Sequence, residues 1–116
     1  MGAESSGERT QLGLTLTTSR SADRVVVRCT GELDLGTVGP FLLALEEAIE
    51  ADSGPIELDL GALAFMDSSG VGAYVHAFRQ AQSKGVRLSI GERSGAVQRV
   101  LELSGVEVAL AAESAN

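Results

Sequence analysis

Hydrophobic and polar residues alternate with a period of two in four stretches of the chain, the pattern of strands with one buried face. The apolar positions are Leu12, Leu14 and Leu16, then Val25, Val27 and Cys29, then Ile56, Leu58 and Leu60, and finally Val86, Leu88 and Ile90. Residues 19–24 have the length of a hairpin connection between the first two strands. Because each predicted strand has a polar face, we expect helices to cover only one side of the sheet.

Three other stretches have the spacing of amphipathic helices. Their predicted starts are Thr37, Ser68 or Ser69, and Ser94, which are residue types that cap helix N-termini. Gly85 and Gly105 follow the second and third helices as C-terminal stop signals. The apolar faces comprise Phe41, Leu42, Leu45, Ala48 and Ile49; Val71, Tyr74, Val75, Phe78 and Ala81; and Val97, Val100 and Leu101. Residues 106–110 are predicted as a short last strand.

The predicted order of elements is β-β-α-β-α-β-α-β, which indicates an α/β fold with a mixed β-sheet. Right-handed crossovers that all step in one direction would place the helices mainly on one face of that sheet. The chain contains no internal repeat or linker, so we expect one domain over residues 11–110. Residues 1–10 are small and polar and are expected to be a disordered lead-in, and residues 111–116 a flexible tail.

Composition narrows the classes of function. The 116 residues have a net charge of -7, which argues against nucleic-acid binding because that needs clustered lysine and arginine. No apolar run approaches the ~20 residues that span a bilayer, so no membrane association is expected. We also expect no signal peptide, and a single cysteine fits a reducing compartment. The predicted location is therefore the cytoplasm.

Asp67, Ser69 and His76 have the residue types of a hydrolase triad, but not its spacing. Seven residues of helix place Ser69 and His76 about 10 Å apart along the axis, whereas a nucleophile and its base must approach to about 3 Å. No G-x-S-x-G motif occurs. Glu57 and Asp59 lie two apart on a polar strand face, where pairing with arginines of neighbouring strands explains them better than acid–base catalysis. We predict no catalytic residue, and hence a protein that is not an enzyme.

Metal and cofactor sites are not expected either. One histidine and one cysteine provide too few ligands for a transition metal. Gly70 and Gly72 follow a predicted strand and begin a helix, but neither of the glycine-rich phosphate-binding motifs is present. Glycines at this position leave the backbone accessible to another protein.

Two interpretations of Asp67-Ser68-Ser69-Gly70 remain open from the residues alone. In the first, Asp67 or Ser68 only caps the following helix. In the second, a serine in the first helical turn accepts a phosphate, because the helix dipole and free N–H groups tolerate a dianion there.

Three segments of the chain resemble the STAS-domain anti-sigma factor antagonists, also called anti-anti-sigma factors. The segments are TGELDLGTV at 30–38, LDLGALAFMDSSGVGAYV at 58–75 and SGAVQRVLELSGV at 94–106. They occur in the order typical of this bacterial family and cover nearly the whole chain. The family's small mixed sheet with helices packed on it is similar to the fold predicted above.

This resemblance implies a phosphorylation-controlled binding switch in transcription regulation. It identifies Ser69 as the phosphorylated serine, with Ser68 as the alternative. The implied partner is an anti-sigma factor with serine kinase activity, which the unphosphorylated protein sequesters so that a sigma factor is freed; a serine phosphatase resets the switch. The implied contact residues are Glu32, Asp34, Asp67, Ser68, Ser69, Gly70 and Gly72. A STAS scaffold or accessory subunit of another signalling or transport complex is the alternative function.

Overall fold

The computed structural model describes residues 5–11 and 13–114, and these form a five-stranded sheet and four helices. The strands are β1 (Ser5–Gln11), β2 (Leu14–Arg20), β3 (Val25–Leu33), β4 (Ile56–Met66) and β5 (Leu88–Arg93). The helices are α1 (Val38–Ala51), α2 (Ser68–Ser83), α3 (Gly95–Ser104) and α4 (Val106–Ser114). The strands follow one another in the order β1-β2-β3-β4-β5, antiparallel from β1 to β3 and parallel from β3 to β5. The predicted α/β fold with a mixed sheet is confirmed.

One face of the sheet is buried, as the alternation of the strands predicted. In β3, Val25, Val27 and Cys29 are buried, whereas the intervening Arg28 and Thr30 are exposed. Burial, followed by the negative charge of Asp59, raises the pKa of the Cys29 thiol to about 12. The thiolate is therefore scarce near neutral pH, and Cys29 behaves as a small core residue.

The opposite face is polar and has ion pairs between strands. Arg28 of β3 donates to Asp59 of the neighbouring β4 at 3.0 Å. Glu57 pairs with Arg24, just before β3, at 3.0 Å and not with a residue of β5. The paired carboxylates are thus a cross-strand charge ladder, the interpretation favoured over acid–base catalysis.

Small residues form the buried stripe of α2. Ala73, Ala77 and Ala81 are buried together with Tyr74, whereas Phe78 is only half-buried. The apolar face predicted from the sequence contained mainly larger side chains and did not include Ala73 and Ala77. The alanines matter because α1 and α2 pack against each other on the sheet, and small side chains allow two helices to approach closely.

The N-terminal expectation was wrong for residues 5–10. They form β1 together with Gln11, and β1 pairs with β2 along its whole length. Residues 5–10 show no apolar alternation, because an edge strand can be stabilised by its backbone ladder while its side chains remain in solvent. Glu8, Arg9 and Thr10 are all exposed. Residues 1–4, 12, 115 and 116 lie outside the described residues, including Leu12 of the first predicted strand.

The C-terminal expectation was also wrong. Residues 106–110 are the start of α4 and not a strand, and α4 continues through residues 111–114 of the predicted tail. Val106 and Leu110 are buried four residues apart, which is helical spacing, while Val108 between them is exposed. Gly105, with φ 66°, ends α3 as predicted and allows a second helix to follow at once. Within 5–11 and 13–114, none of the helices is long and apolar enough to cross a membrane.

Truncation of Leu101 tests the packing of α3. Leu101 is 2% exposed in the core, whereas Leu103 on the same helix is 83% exposed. We expect Leu101→Ala to lower the free energy of unfolding by about 2–5 kcal/mol, because it removes buried methyl groups and leaves a cavity. Leu103→Ala, the matched control, should change it by less than about 0.5 kcal/mol. Denaturant melts measure both, and equal losses would contradict this packing of α3.

Candidate functional site

The candidate site lies where the carboxyl ends of two parallel strands meet the N-terminus of α2. Leu33, the last residue of β3, is in register with Met66, the last residue of β4. The Asp67 N–H donates to the Leu33 carbonyl at 3.2 Å, which joins the two strand ends. The turn that follows Leu33 is therefore next to Ser69, and the structure brings Glu32 and Asp34 to the same edge as the Asp-Ser-Ser-Gly motif.

Asp67 is the N-cap of α2. One carboxylate oxygen, Oδ1, accepts hydrogen bonds from the Ser69 N–H at 2.9 Å and the Gly70 N–H at 3.3 Å. The Asp67 carbonyl accepts from the N–H groups of Gly70 and Val71 at 3.0 and 3.2 Å. Of the two capping residues that the sequence left open, the structure selects Asp67, and its carboxylate binds backbone N–H groups and not a serine hydroxyl.

The two serines of the motif differ in their surroundings. Ser68 is exposed, whereas Ser69 is half-buried. The Ser69 backbone is held by the Asp67 cap at 2.9 Å, so the position of this residue is better defined. Neither hydroxyl has a hydrogen-bond partner among the residues that the structure describes, so both are chemically available to an incoming group.

The two glycines of α2 have different roles. An ideal Cβ at Gly70 would lie 2.9 Å from both Cγ and Cδ2 of Leu33 and 3.1 Å from Cγ of Met66. Gly70 is buried and lets the first turn of α2 pack on the strand ends, so it does not itself keep the surface open. A Cβ at Gly72 would meet nothing within 4 Å, and Gly72 is exposed. Only Gly72 fits the expectation of open backbone.

A tight turn follows β3 and is held by Thr37, which is 2% exposed. Its hydroxyl donates to the Glu32 carbonyl at 3.0 Å and accepts from the Asp34 N–H at 2.9 Å. The Asp34 carboxylate accepts from the Gly36 N–H at 2.9 Å. Thr37 is the N-cap residue of α1, as predicted, but its side chain makes no cap hydrogen bond to the helix and binds the turn instead.

The charge of this edge is negative. Glu32 is exposed, and Asp34 and Asp67 are half-buried. None of the ion pairs among the described residues includes any of the three carboxylates. A partner that covers this edge with basic groups would meet unpaired acids.

Two exposed apolar residues at the same edge were not singled out in the sequence. Leu35 is 77% exposed in the turn, and Phe65 near the end of β4 is 45% exposed. Phe65 lies directly beside Glu32 in the pairing of β4 with β3. Asp34 and Gly36, on either side of Leu35, are residue types common in turns. They indicated that Leu35 lies in a turn after β3, where its side chain can be exposed.

No hydrolase or metal centre is formed among the described residues. His76 is exposed on α2 and has no hydrogen bond to Ser69. Within 5–11 and 13–114, no cluster of three histidine, cysteine, aspartate or glutamate residues could hold a metal ion. The arrangement has the features of a contact surface: a defined backbone, free hydroxyls and exposed apolar and acidic groups.

Residues 16–111 match the family model described as "Mlab, STAS domain". An anti-sigma F factor antagonist of Paenibacillus polymyxa is 34% identical to the chain over 83 residues, which are 71% of each protein. The solved structure of the anti-sigma factor antagonist SpoIIAA in its unphosphorylated form has a TM-score of 0.64 at 26% identity, covering 88% of this chain and 82% of that one. The phosphorylated form of the Bacillus cell fate determinant SpoIIAA has a TM-score of 0.59 at 25% identity, covering 89% and 86%.

Substitution of the two glycines tests the packing of the first turn of α2. We expect Gly70→Ala to lower the free energy of unfolding by about 1–3 kcal/mol, because the new methyl group overlaps Leu33 and Met66. Gly72→Ala adds the same atoms in open space and should raise stability by about 0.5–1 kcal/mol through helix propensity. Thermal or denaturant melts measure both changes. A loss for Gly72→Ala as large as that for Gly70→Ala would contradict the role given to Gly70.

Proposed function

Because this chain belongs to the STAS domain family, we propose that it is an anti-sigma factor antagonist whose binding to its partner is controlled by phosphorylation of Ser69. A relative that matches 71% of the chain is named an anti-sigma F factor antagonist, and SpoIIAA has been solved in unphosphorylated and phosphorylated forms. STAS-domain antagonists are binding proteins and not enzymes, in agreement with the prediction made from the triad spacing.

The observation that supports this function best is the state of Ser69. Its backbone N–H is fixed by the Asp67 carboxylate at 2.9 Å, while its hydroxyl has no partner among the described residues. A kinase can reach a free hydroxyl on a residue whose backbone is held in place without unfolding the domain. Exposure alone would favour Ser68, so the choice of Ser69 follows the match to the family motif and the better-defined backbone.

A phosphate at Ser69 would add nearly two negative charges to an edge that is already acidic. The Asp67 carboxylate already occupies the N–H groups of Ser69 and Gly70, so these donors are not available to stabilise the phosphate. The helix N-terminus would therefore stabilise a phosphate on Ser69 less than it would if these N–H groups were free. The new charge faces the partner, and burying it against a surface shaped for a neutral hydroxyl costs affinity.

The partner in this proposal is an anti-sigma factor that is itself a serine kinase. It supplies ATP binding and phosphate transfer, and this chain contributes the acceptor. Unphosphorylated, the antagonist sequesters the anti-sigma factor in the cytoplasm and a sigma factor is freed. A serine phosphatase returns the phosphorylated form to the binding state. Neither nucleic acid nor a membrane takes part.

Four forms of the protein test the switch: wild type, the phosphoprotein, Ser69→Ala and Ser68→Ala. Each is incubated with purified anti-sigma factors of the source organism, with and without ATP. We expect wild type and Ser68→Ala to gain one phosphate and Ser69→Ala to gain none, measured by intact mass. Calorimetric titration should show that the phosphoprotein binds at least ~100-fold more weakly than wild type, while Ser69→Ala still binds.

Equal affinities for wild type and phosphoprotein would reject the switch. Phosphate on Ser68 would move the site by one residue. A chain that binds a signalling or transport complex and accepts no phosphate at either serine would instead support the STAS scaffold, the alternative function.

A further inference from the structure

We propose that Leu35 and Phe65 are the main apolar anchors of the partner-binding surface, and that the partner meets them with an apolar pocket bordered by lysine or arginine. This inference rests on the proposed function and specifies where its binding free energy lies. The acidic and serine residues implied by the family motif explain control, but small polar groups supply little buried apolar area. Most of the affinity of a protein interface comes from a few well-buried side chains.

Leu35 is exposed because of the turn in which it lies. The residue lies at the tip of the turn after β3, between Asp34 and Gly36. The turn is closed by hydrogen bonds from the N–H groups of Thr37 and Val38 to the Asp34 carbonyl, at 3.0 and 2.9 Å. The buried Thr37 hydroxyl fixes both sides of the turn. An apolar side chain on a braced turn is preorganised, so little conformational entropy is lost when a partner covers it.

Phe65 is exposed for a different reason. Met66, the next residue, is buried, so Phe65 points away from the core. It lies beside Glu32 in the parallel pairing of β4 with β3. Phe65 thus offers an apolar contact, and the neighbouring Glu32 adds a negative charge beside it. These two groups suit a partner that has an apolar pocket with basic residues at its rim.

Both residues are adjacent to the motif that contains Ser69. The Leu33 carbonyl, two residues before Leu35, accepts from the Asp67 N–H at 3.2 Å. Phe65 is two residues before Asp67 in the chain. We therefore assign Leu35 and Phe65 to the same partner surface as Ser69, so that one surface would provide both affinity and control.

Leu35→Ala and Phe65→Ala test the anchors. Leu103→Ala is the control, because Leu103 is also a solvent-exposed leucine but lies at the C-terminal end of α3. The probe is the anti-sigma factor that binds wild type in the titration above. We expect each anchor substitution to raise Kd by about 10-fold or more, and Leu103→Ala to leave Kd unchanged. Leu35→Ala should not alter the melting temperature, so its result holds even if Phe65→Ala is less stable.

The charge of the rim is tested separately. Glu32→Gln should weaken binding at low salt and reduce the dependence of Kd on ionic strength, because it removes one attraction to basic residues of the partner. An affinity that is independent of salt in wild type would overturn the basic rim. Unchanged affinity of Leu35→Ala would overturn the anchors while the loss on phosphorylation still supports the switch. Absence of binding by wild type to every anti-sigma factor would reject the proposed function, and the inference with it.

Discussion

The parallel pairing of β3 with β4 is the constraint on which the rest of the site depends. Parallel strands end at the same edge, and here the last residues of both, Leu33 and Met66, lie side by side. The Asp67 N–H then bonds to the Leu33 carbonyl, and Gly70 packs on the Leu33 side chain. Leu33 thus contacts the first turn of α2 and, as the last residue of β3, leads directly into the acidic turn.

The division of tasks within the motif follows from this geometry. Asp67 uses its carboxylate on the backbone, Gly70 fills a place where no side chain fits, and the serine hydroxyls are left without a structural task among the described residues. Substitution at either serine should therefore affect binding or modification more than folding. The same separation holds in the neighbouring turn, where Thr37 and Asp34 maintain the backbone while Glu32 and Leu35 face solvent.

Sequence patterns predicted the parts of the fold whose side chains are sorted between core and solvent. Strands with one apolar face and helices with apolar stripes gave the mixed sheet and its covered face. The patterns failed where apolar and polar side chains are not separated, or where their spacing is ambiguous. β1 is polar on both faces, and residues 106–110 satisfy the spacing of a strand and of a helix. In the site, the capping preference of Asp67 was visible, but the contact of Gly70 with Leu33 and Met66 depends on tertiary packing that no local pattern encodes.

The polar composition of β1 affects how readily copies of this protein associate through the edges of their sheets. The edge of a sheet presents unpaired backbone groups that attract other strands, and exposed charged residues discourage such pairing. β1 presents Glu8, Arg9 and Thr10 to solvent at one edge, and β5 at the other is only six residues long and carries the exposed Glu92 near its end. An antagonist that worked by binding its target one to one, as proposed, would need to match that target in concentration. Charged edge strands favour this, because they oppose association between copies of the chain.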